Sequence, residues 1–208
     1  MLFDYPIGAT PLNDYSGLIP RTVLTQRDLN RVEAENIFEA QKKYLKNKIE
    51  SPRYWFNIPT LKAIHKAMFC DVWQWAGEFR KSVTSIGIEP YKIHCQLGEL
   101  CADVDAWVHH CDGLTILEQA ARIHHRLVLI HPFENGNGRF ARLVADRFLI
   151  ACGCKHADWP YLEDNGAIRA EYIATLKAAD QGNYEPLLAL MHRFGAHEPA
   201  TITKGKLA

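Results

Sequence analysis

The chain has 208 residues, 48% of them hydrophobic and 23% charged, proportions that argue against wholesale disorder and suit a folded core. Lysine plus arginine equals aspartate plus glutamate at 24 each, so the formal net charge is zero and direct nucleic-acid binding through a broad basic face is not expected. No apolar run is long enough to span a bilayer, residues 1–20 show no basic-then-apolar leader, and the six cysteines are scattered, which implies a cytoplasmic protein with reduced thiols and no membrane partner.

Residues 1–24 are rich in Pro, Gly, Asn and Asp and read as an extended arm. Thr25-Gln-Arg-Asp28 forms a capping box, and Leu29, Val32, Asn36, Ile37, Ala40 and Tyr44 follow at helical spacing, predicting a helix over 26–48. A short helix capped by Thr60 carries Leu61, Ile64, Ala67 and Met68. Over 79–94 the pattern changes to loose alternation of β-branched and polar residues. Gly87 and Pro90 punctuate it, predicting one short edge β-hairpin. Leu97, Leu100, Val104 and Val108 restore helical spacing as far as His110. Thr115-Ile-Leu-Glu118 is a second capping box, opening a helix over 116–130. Pro132 stops that helix, because the residue before a proline is pushed out of the α region, and that residue is His131. The next helix starts near Arg139, buries Phe140, Leu143, Val144 and Phe148, and ends before Gly153. Helices are also predicted over 167–179 and from Pro186 to about Phe194, with residues 196–208 a frayed tail. The fold class is mainly α, in one helical domain over 25–195.

The stretch LIHPFENGNGRFARL, residues 129–143, concentrates the chemistry. Gly136-Asn137-Gly138 supplies unusual φ angles, and successive backbone N–H groups in such a loop can converge on an anion. The helix beginning near Arg139 adds unpaired N–H groups and the positive end of its dipole. Arg139 and Arg142, three apart, provide guanidinium forks that match phosphate oxygens. His131, at the other end of the loop, titrates near neutrality and can accept a proton from a hydroxyl or water. The bland reading stands beside this one: a His-Pro turn, good turn residues and arginines that merely decorate a helix start.

Residues 131–142 resemble the signature of the Fic/Doc (Fido) family, H-P-F-x-[D/E]-G-N-[G/K]-R-x-x-R, agreeing at eight of its nine constrained positions. WQWAGEFRKSV, residues 73–83, is similar to the family's W-A-G-x-x-R approach to its flap, and the likeness extends over roughly 55–195. The resemblance implies a Fic-type helical bundle with one β-hairpin flap, and transfer of AMP from ATP to a Ser, Thr or Tyr hydroxyl of a target protein. It makes His131 the general base and Phe133 the core anchor of the loop. Gly136, Asn137 and Gly138 would hold the α- and β-phosphates, Asn137 adding its side chain. Arg139 would bind phosphate oxygens and Arg142 the γ-phosphate. The flap, with Ser82, Val83, Thr84, Ser85 and Ile86, would pair with an extended target segment.

The chain departs from the pattern at Asn135, where the family places the acidic residue that holds Mg²⁺. Magnesium favours charged oxygen ligands, and asparagine offers a neutral carbonyl. Three outcomes stay open: a metal held more weakly by phosphates, water and Asn135; Glu134 in its place; or a catalytically impaired nucleotide- or protein-binding module. Residues 31–36, Arg31-Val-Glu-Ala-Glu35-Asn36, resemble the family's inhibitory motif [S/T]-x-x-x-E-[G/N], with Arg31 at its first position. That resemblance assigns Glu35, with Asn36, to pair with Arg142 as a brake on a toxin or regulator. The alternative makes Glu35 a solvated helix charge like Glu33 and Glu39. Pairs such as His124-His125 and Cys152-Gly-Cys154 lack the spacing of a zinc site. Target, self-modification, transferred group and oligomeric state are left open by the sequence.

Overall fold

The computed structural model describes residues 15–46, 49–110, 113–160 and 166–199. Among them are eight α-helices: α1 (Gln26–Tyr44), α2 (Pro52–Trp55), α3 (Ile58–Phe69), α4 (Ile93–His110), α5 (Ile116–Ile130), α6 (Asn137–Ala151), α7 (Gly166–Asp180) and α8 (Glu185–Arg193). Both predicted capping boxes are present, Thr25 with Asp28 and Thr115 with Glu118, because each is a local reciprocal bond that needs no tertiary support. α3 starts earlier than expected. Asn57, not Thr60, is its cap, accepting from the Thr60 N–H at 3.0 Å, with Pro59 in the first turn. α1 stops at Tyr44, whose carbonyl accepts from Arg147 on α6 at 2.9 Å, so a cation meets an otherwise unpaired helix end.

α5 and α6 form the central pair; α4 and α8 pack on α5, α3 on α6, and α1 covers α3. Phe69, Trp73, Phe133, Phe140 and Phe148 are among the largest fully buried side chains, and burial of each contributes on the order of 2–3 kcal/mol. Phe133 belongs to the loop between the central helices, so the same core that holds the helices holds that loop.

The predicted hairpin is corrected. No strand ladder runs through 79–92; Phe79 instead bridges Phe133, and Pro90–Lys92 forms a 3₁₀ turn. The carbonyls of Ser82 and Ile88, which a hairpin would pair across its strands, both accept from the Arg80 guanidinium. The polypeptide on either side is also fastened. Residues 17–19 bond to 72–74, with Leu18 bridging Trp73, Ile19 N–H to the Val72 carbonyl at 2.9 Å and Gln74 N–H to the Gly17 carbonyl at 2.9 Å. The start of the predicted frayed tail is tied down too: Ala196 is buried, His197 bridges Lys155, and Glu198 accepts from the Leu117 N–H at 2.9 Å. Residues 1–14 of the predicted arm, 200–208 of the predicted tail, and 47–48 of the first predicted helix lie outside the described residues.

Candidate active site

His131 ends α5 in the left-handed region, at φ 52° and ψ 59°, the only non-glycine with positive φ among the described residues. That conformation costs about 1–2 kcal/mol and persists because Pro132 bars the right-handed alternative and the surroundings fix it. The imidazole is 7% exposed, with Nδ1 3.2 Å from the Val128 carbonyl. A carbonyl only accepts, so Nδ1 carries the proton and Nε2 keeps its lone pair. Burial pulls the ring down to about 4, with the Val128 bond opposing and the nearby Arg80 charge reinforcing the fall. At neutral pH His131 is therefore an uncharged imidazole with an accepting nitrogen.

The loop that follows is braced from both sides. Asn137 accepts from the Phe133 N–H at 2.9 Å and donates to the Phe133 carbonyl at 2.8 Å, closing the loop on itself. This corrects the expected phosphate role for that side chain: it is 1% exposed and both ends of its amide are engaged. His65 of α3, which sequence reasoning missed, stacks on Phe133 with ring centroids 3.6 Å apart. The Gly77 N–H donates to its Nδ1 at 3.0 Å, so its Nε2–H donates to the Asn135 carbonyl at 3.1 Å. Its two backbone partners settle the tautomer, and burial pulls the ring down to about 3. No local pattern marks such a residue; one polar side chain on an apolar helix face reads as neutral.

Gly136 begins α6 at φ 76°, and a Cβ there would lie 2.3 Å from the Phe69 ring, so only glycine fits. The first backbone bond of α6 runs from Phe140 N–H to the Gly136 carbonyl at 2.9 Å. The amides of Asn137, Gly138 and Arg139 precede it and face the positive end of the helix dipole, an arrangement that attracts phosphate. Gly138 has ordinary room: a Cβ would sit 3.6 Å from the Tyr172 hydroxyl.

The two arginines part company. Arg139 donates to Glu33 of α1 at 2.6 Å and lies over the Phe69 ring, while the same carboxylate accepts from the Trp73 indole N–H at 2.7 Å. Arg142 lies 5.8 Å and 5.4 Å over the rings of Trp159 and Tyr172, the latter on α7. Behind it, buried Asp146 accepts from the Ala157 N–H and the Trp159 indole, each at 3.3 Å. Burial pushes that carboxyl up to about 8, against the pull of those hydrogen bonds and of Arg142.

The expected pairing of Glu35 with Arg142 is not formed. Glu35 is 64% exposed and pairs with Arg31 at 3.2 Å, away from Arg142. Asn36 ties α1 to the end of α3, donating to Asp71 at 3.2 Å and accepting from the Asp71 N–H at 3.2 Å. The inward face of α1 is Leu29, Glu33, Asn36, Ala40 and Tyr44, and two residues along a helix is more than half a turn. Glu33, read as solvated, is the carboxylate that faces the signature helix.

Of the flap residues, Ser82 donates to Glu134 at 3.1 Å, Thr84 donates to the Ile86 carbonyl at 2.5 Å, and Val83, Ser85 and Ile86 are exposed. The two side chains considered for a metal, Asn135 and Glu134, each already carry a hydrogen bond. The Asn135 side-chain oxygen accepts from the Gly136 N–H at 2.5 Å, and Glu134 is engaged by Ser82. Among the described residues no group of three His, Cys, Asp or Glu converges, and His124 and His125 are committed to Tyr172 and to Tyr184 with Asp180. No described helix is long and apolar enough to cross a membrane.

Residues 55–149 match the model of the Fic/DOC family. The protein adenylyltransferase fic-1 of Caenorhabditis elegans is 32% identical over 135 residues, and Fic of Drosophila virilis 31% over 114. These matches take in 62% and 54% of this chain but only 24% and 22% of those proteins, so the chain spans about a quarter of the curated relatives it matches. In fold, it matches the BepC protein of Bartonella tribocorum, a structure with bound AMPPNP, at a TM-score of 0.66 and 20% identity over 94% of this chain and 96% of that one. It matches Fic-1 from C. elegans at 0.62 and 23%, over 86% of this chain and 52% of that one. The signature loop, its brace and its flap all lie within residues 55–149, the segment over which the chain matches the Fic/DOC family.

Proposed function

We propose that the protein is an adenylyltransferase that moves AMP from ATP to a Ser, Thr or Tyr hydroxyl of a target protein. The observation that carries this reading is the neutral His131, its Nε2 unprotonated, beside the amide-lined start of α6. The target oxygen attacks the α-phosphorus as His131 Nε2 takes its proton. The bond from that phosphorus to the bridging oxygen breaks, and pyrophosphate leaves. The amides of Asn137, Gly138 and Arg139 bind phosphate oxygens, and Arg142 receives the γ-phosphate. Magnesium arrives on the nucleotide as part of the substrate, since Asn135 and Glu134 are otherwise engaged. The flap, with no ladder partner for residues 82–86, receives an extended target segment. Incubation with α-labelled ATP and cell lysate, with a His131→Ala control, tests this: label that depends on His131 is expected.

A restraint accompanies the chemistry. Glu33 neutralises Arg139, a guanidinium the phosphates need, so α1 competes with ATP for it. The same contact favours the second reading, a module that binds nucleotide or protein without transfer; nucleotide binding with no His131-dependent label would establish that one.

A further inference from the structure

Arg80 is 2% exposed and carries no carboxylate in hydrogen-bond contact; its donors go to backbone carbonyls. Nε donates to His131 at 2.6 Å and Nη2 reaches toward Ile130 at 3.4 Å, capping the end of α5. Nη1 donates to Ser82 at 2.9 Å and Nη2 to Ile88, the two ends of the flap. Its own N–H donates to the Pro132 carbonyl at 3.0 Å. Between those flap ends stands Gly87, at φ 108°. A Cβ there would lie 2.5 Å from the His131 Cβ and 2.8 Å from the Arg80 guanidinium. Flap and base are thus in direct backbone-to-side-chain contact, with one buried guanidinium bonded to both.

We propose that Arg80 and Gly87 are positioning residues that hold the flap and His131 in one frame, so that a target hydroxyl seated on the flap meets Nε2 at a fixed distance. This rests on the transferase reading above. Lysine cannot replace the arginine: a single ammonium radiates its donors from one point, whereas the planar fork serves carbonyls on both sides at once. Gly87 sets how closely the two can approach, because any side chain wedges them apart at a φ that also strains it. The guanidinium is the charged group acting on the His131 ring, and Glu134 and Glu89 are the carboxylates acting on the guanidinium.

The test compares the wild-type 208-residue chain with Arg80→Lys and Gly87→Ala. In steady-state labelling with ATP, both variants should lower kcat by roughly 10- to 100-fold, the range expected for a misplacement of about an ångström. KM for ATP should stay within a few-fold, since the α6 amides are untouched. Limited trypsinolysis at Lys81 and Lys92 should speed up in both, and an NMR titration should show the His131 ring protonating at higher pH in Arg80→Gln, which removes the guanidinium charge. Gly87→Ala, in an exposed loop, guards against misfolding of the buried variant. Wild-type kcat in both variants, or equal losses in kcat and ATP affinity, would overturn the positioning role. The proteolysis and ring titration need no activity: unchanged cleavage and titration sink the clamp even where labelling is intact. Wild type that labels nothing while these two readouts shift sinks the transferase reading and leaves the clamp standing.

Discussion

Glu33→Gln is nearly isosteric. The amide oxygen can go on accepting from the Trp73 indole, but the charge opposite Arg139 is gone. The pair is largely desolvated, with side chains 17% and 4% exposed, so surface screening does little to weaken it. A hydrogen bond to a charged group contributes about 1.5–3 kcal/mol, and a guanidinium left without its counter-charge sits at the upper end. In a chain of this size that corresponds to a Tm lower by roughly 3–12 °C. The same energy is what phosphates must displace when they take Arg139 from Glu33. At about 1.4 kcal/mol per factor of ten, its removal should tighten apparent ATP affinity by roughly 10- to 100-fold. Stability and nucleotide affinity should therefore move in opposite directions. Differential scanning fluorimetry and calorimetric ATP titration read the two separately, and labelling with α-labelled ATP should rise with affinity. A lower Tm with ATP affinity unchanged or reduced refutes the restraint; Glu33 would then only orient Arg139 or hold α1 on the core.

His131→Ala should abolish labelling while leaving ATP binding within a few-fold, because the amides that meet phosphate belong to α6. For the wild type, kcat/KM should be independent of the His131 charge through neutral pH and fall only as pH drops toward about 4, where the imidazole takes up a proton. Asn135→Asp should increase turnover at limiting magnesium by adding a charged ligand; an unchanged or lower rate across a magnesium titration counts against it. Asp146 supplies a stability test. Its folded carboxyl is raised to about 8 from 3.8, so between those values the folded chain holds a proton that the unfolded chain has released. Stability should therefore fall as pH rises through that window, and urea unfolding at several pH values should show Asp146→Asn losing this slope.

What the sequence made legible was whatever is local. The boxes at Thr25 and Thr115 are decided within four residues, and the loop from His131 to Gly138 announces itself through proline, glycine and histidine. Glu33 was hidden because a charged residue on a helix is presumed solvated, and taking Val32 and Ile37 as core turned the buried stripe away from it. Its place four residues after Leu29 and three before Asn36 was the available signal. The flap misled for a different reason: β-branched alternation suggests a ladder, but Arg80, next to the segment, takes the carbonyls the ladder needed. His65 had no signal, since its bonds run to residues 77 and 135.

The loop joins the carbonyl end of α5 to the amide end of α6, so it connects a negative helix terminus to a positive one. Left alone, the end of α5 would favour a cation and therefore the imidazolium form of His131, which is useless as a base. Arg80 supplies that cation permanently, donating to the His131 carbonyl and reaching the Ile130 carbonyl. The ring can then stay neutral, and the amide end of α6 is reserved for phosphate. Loss of Arg80 should thus do two things at once: loosen the flap and raise the His131 proton affinity. The two separate with pH. In Arg80→Gln the second deficit should disappear once the solution is alkaline enough to strip the ring, whereas the first should persist as a reduced plateau in kcat. A variant whose rate recovers fully at high pH would show that charge alone mattered, and a uniform loss at every pH would show that only geometry did.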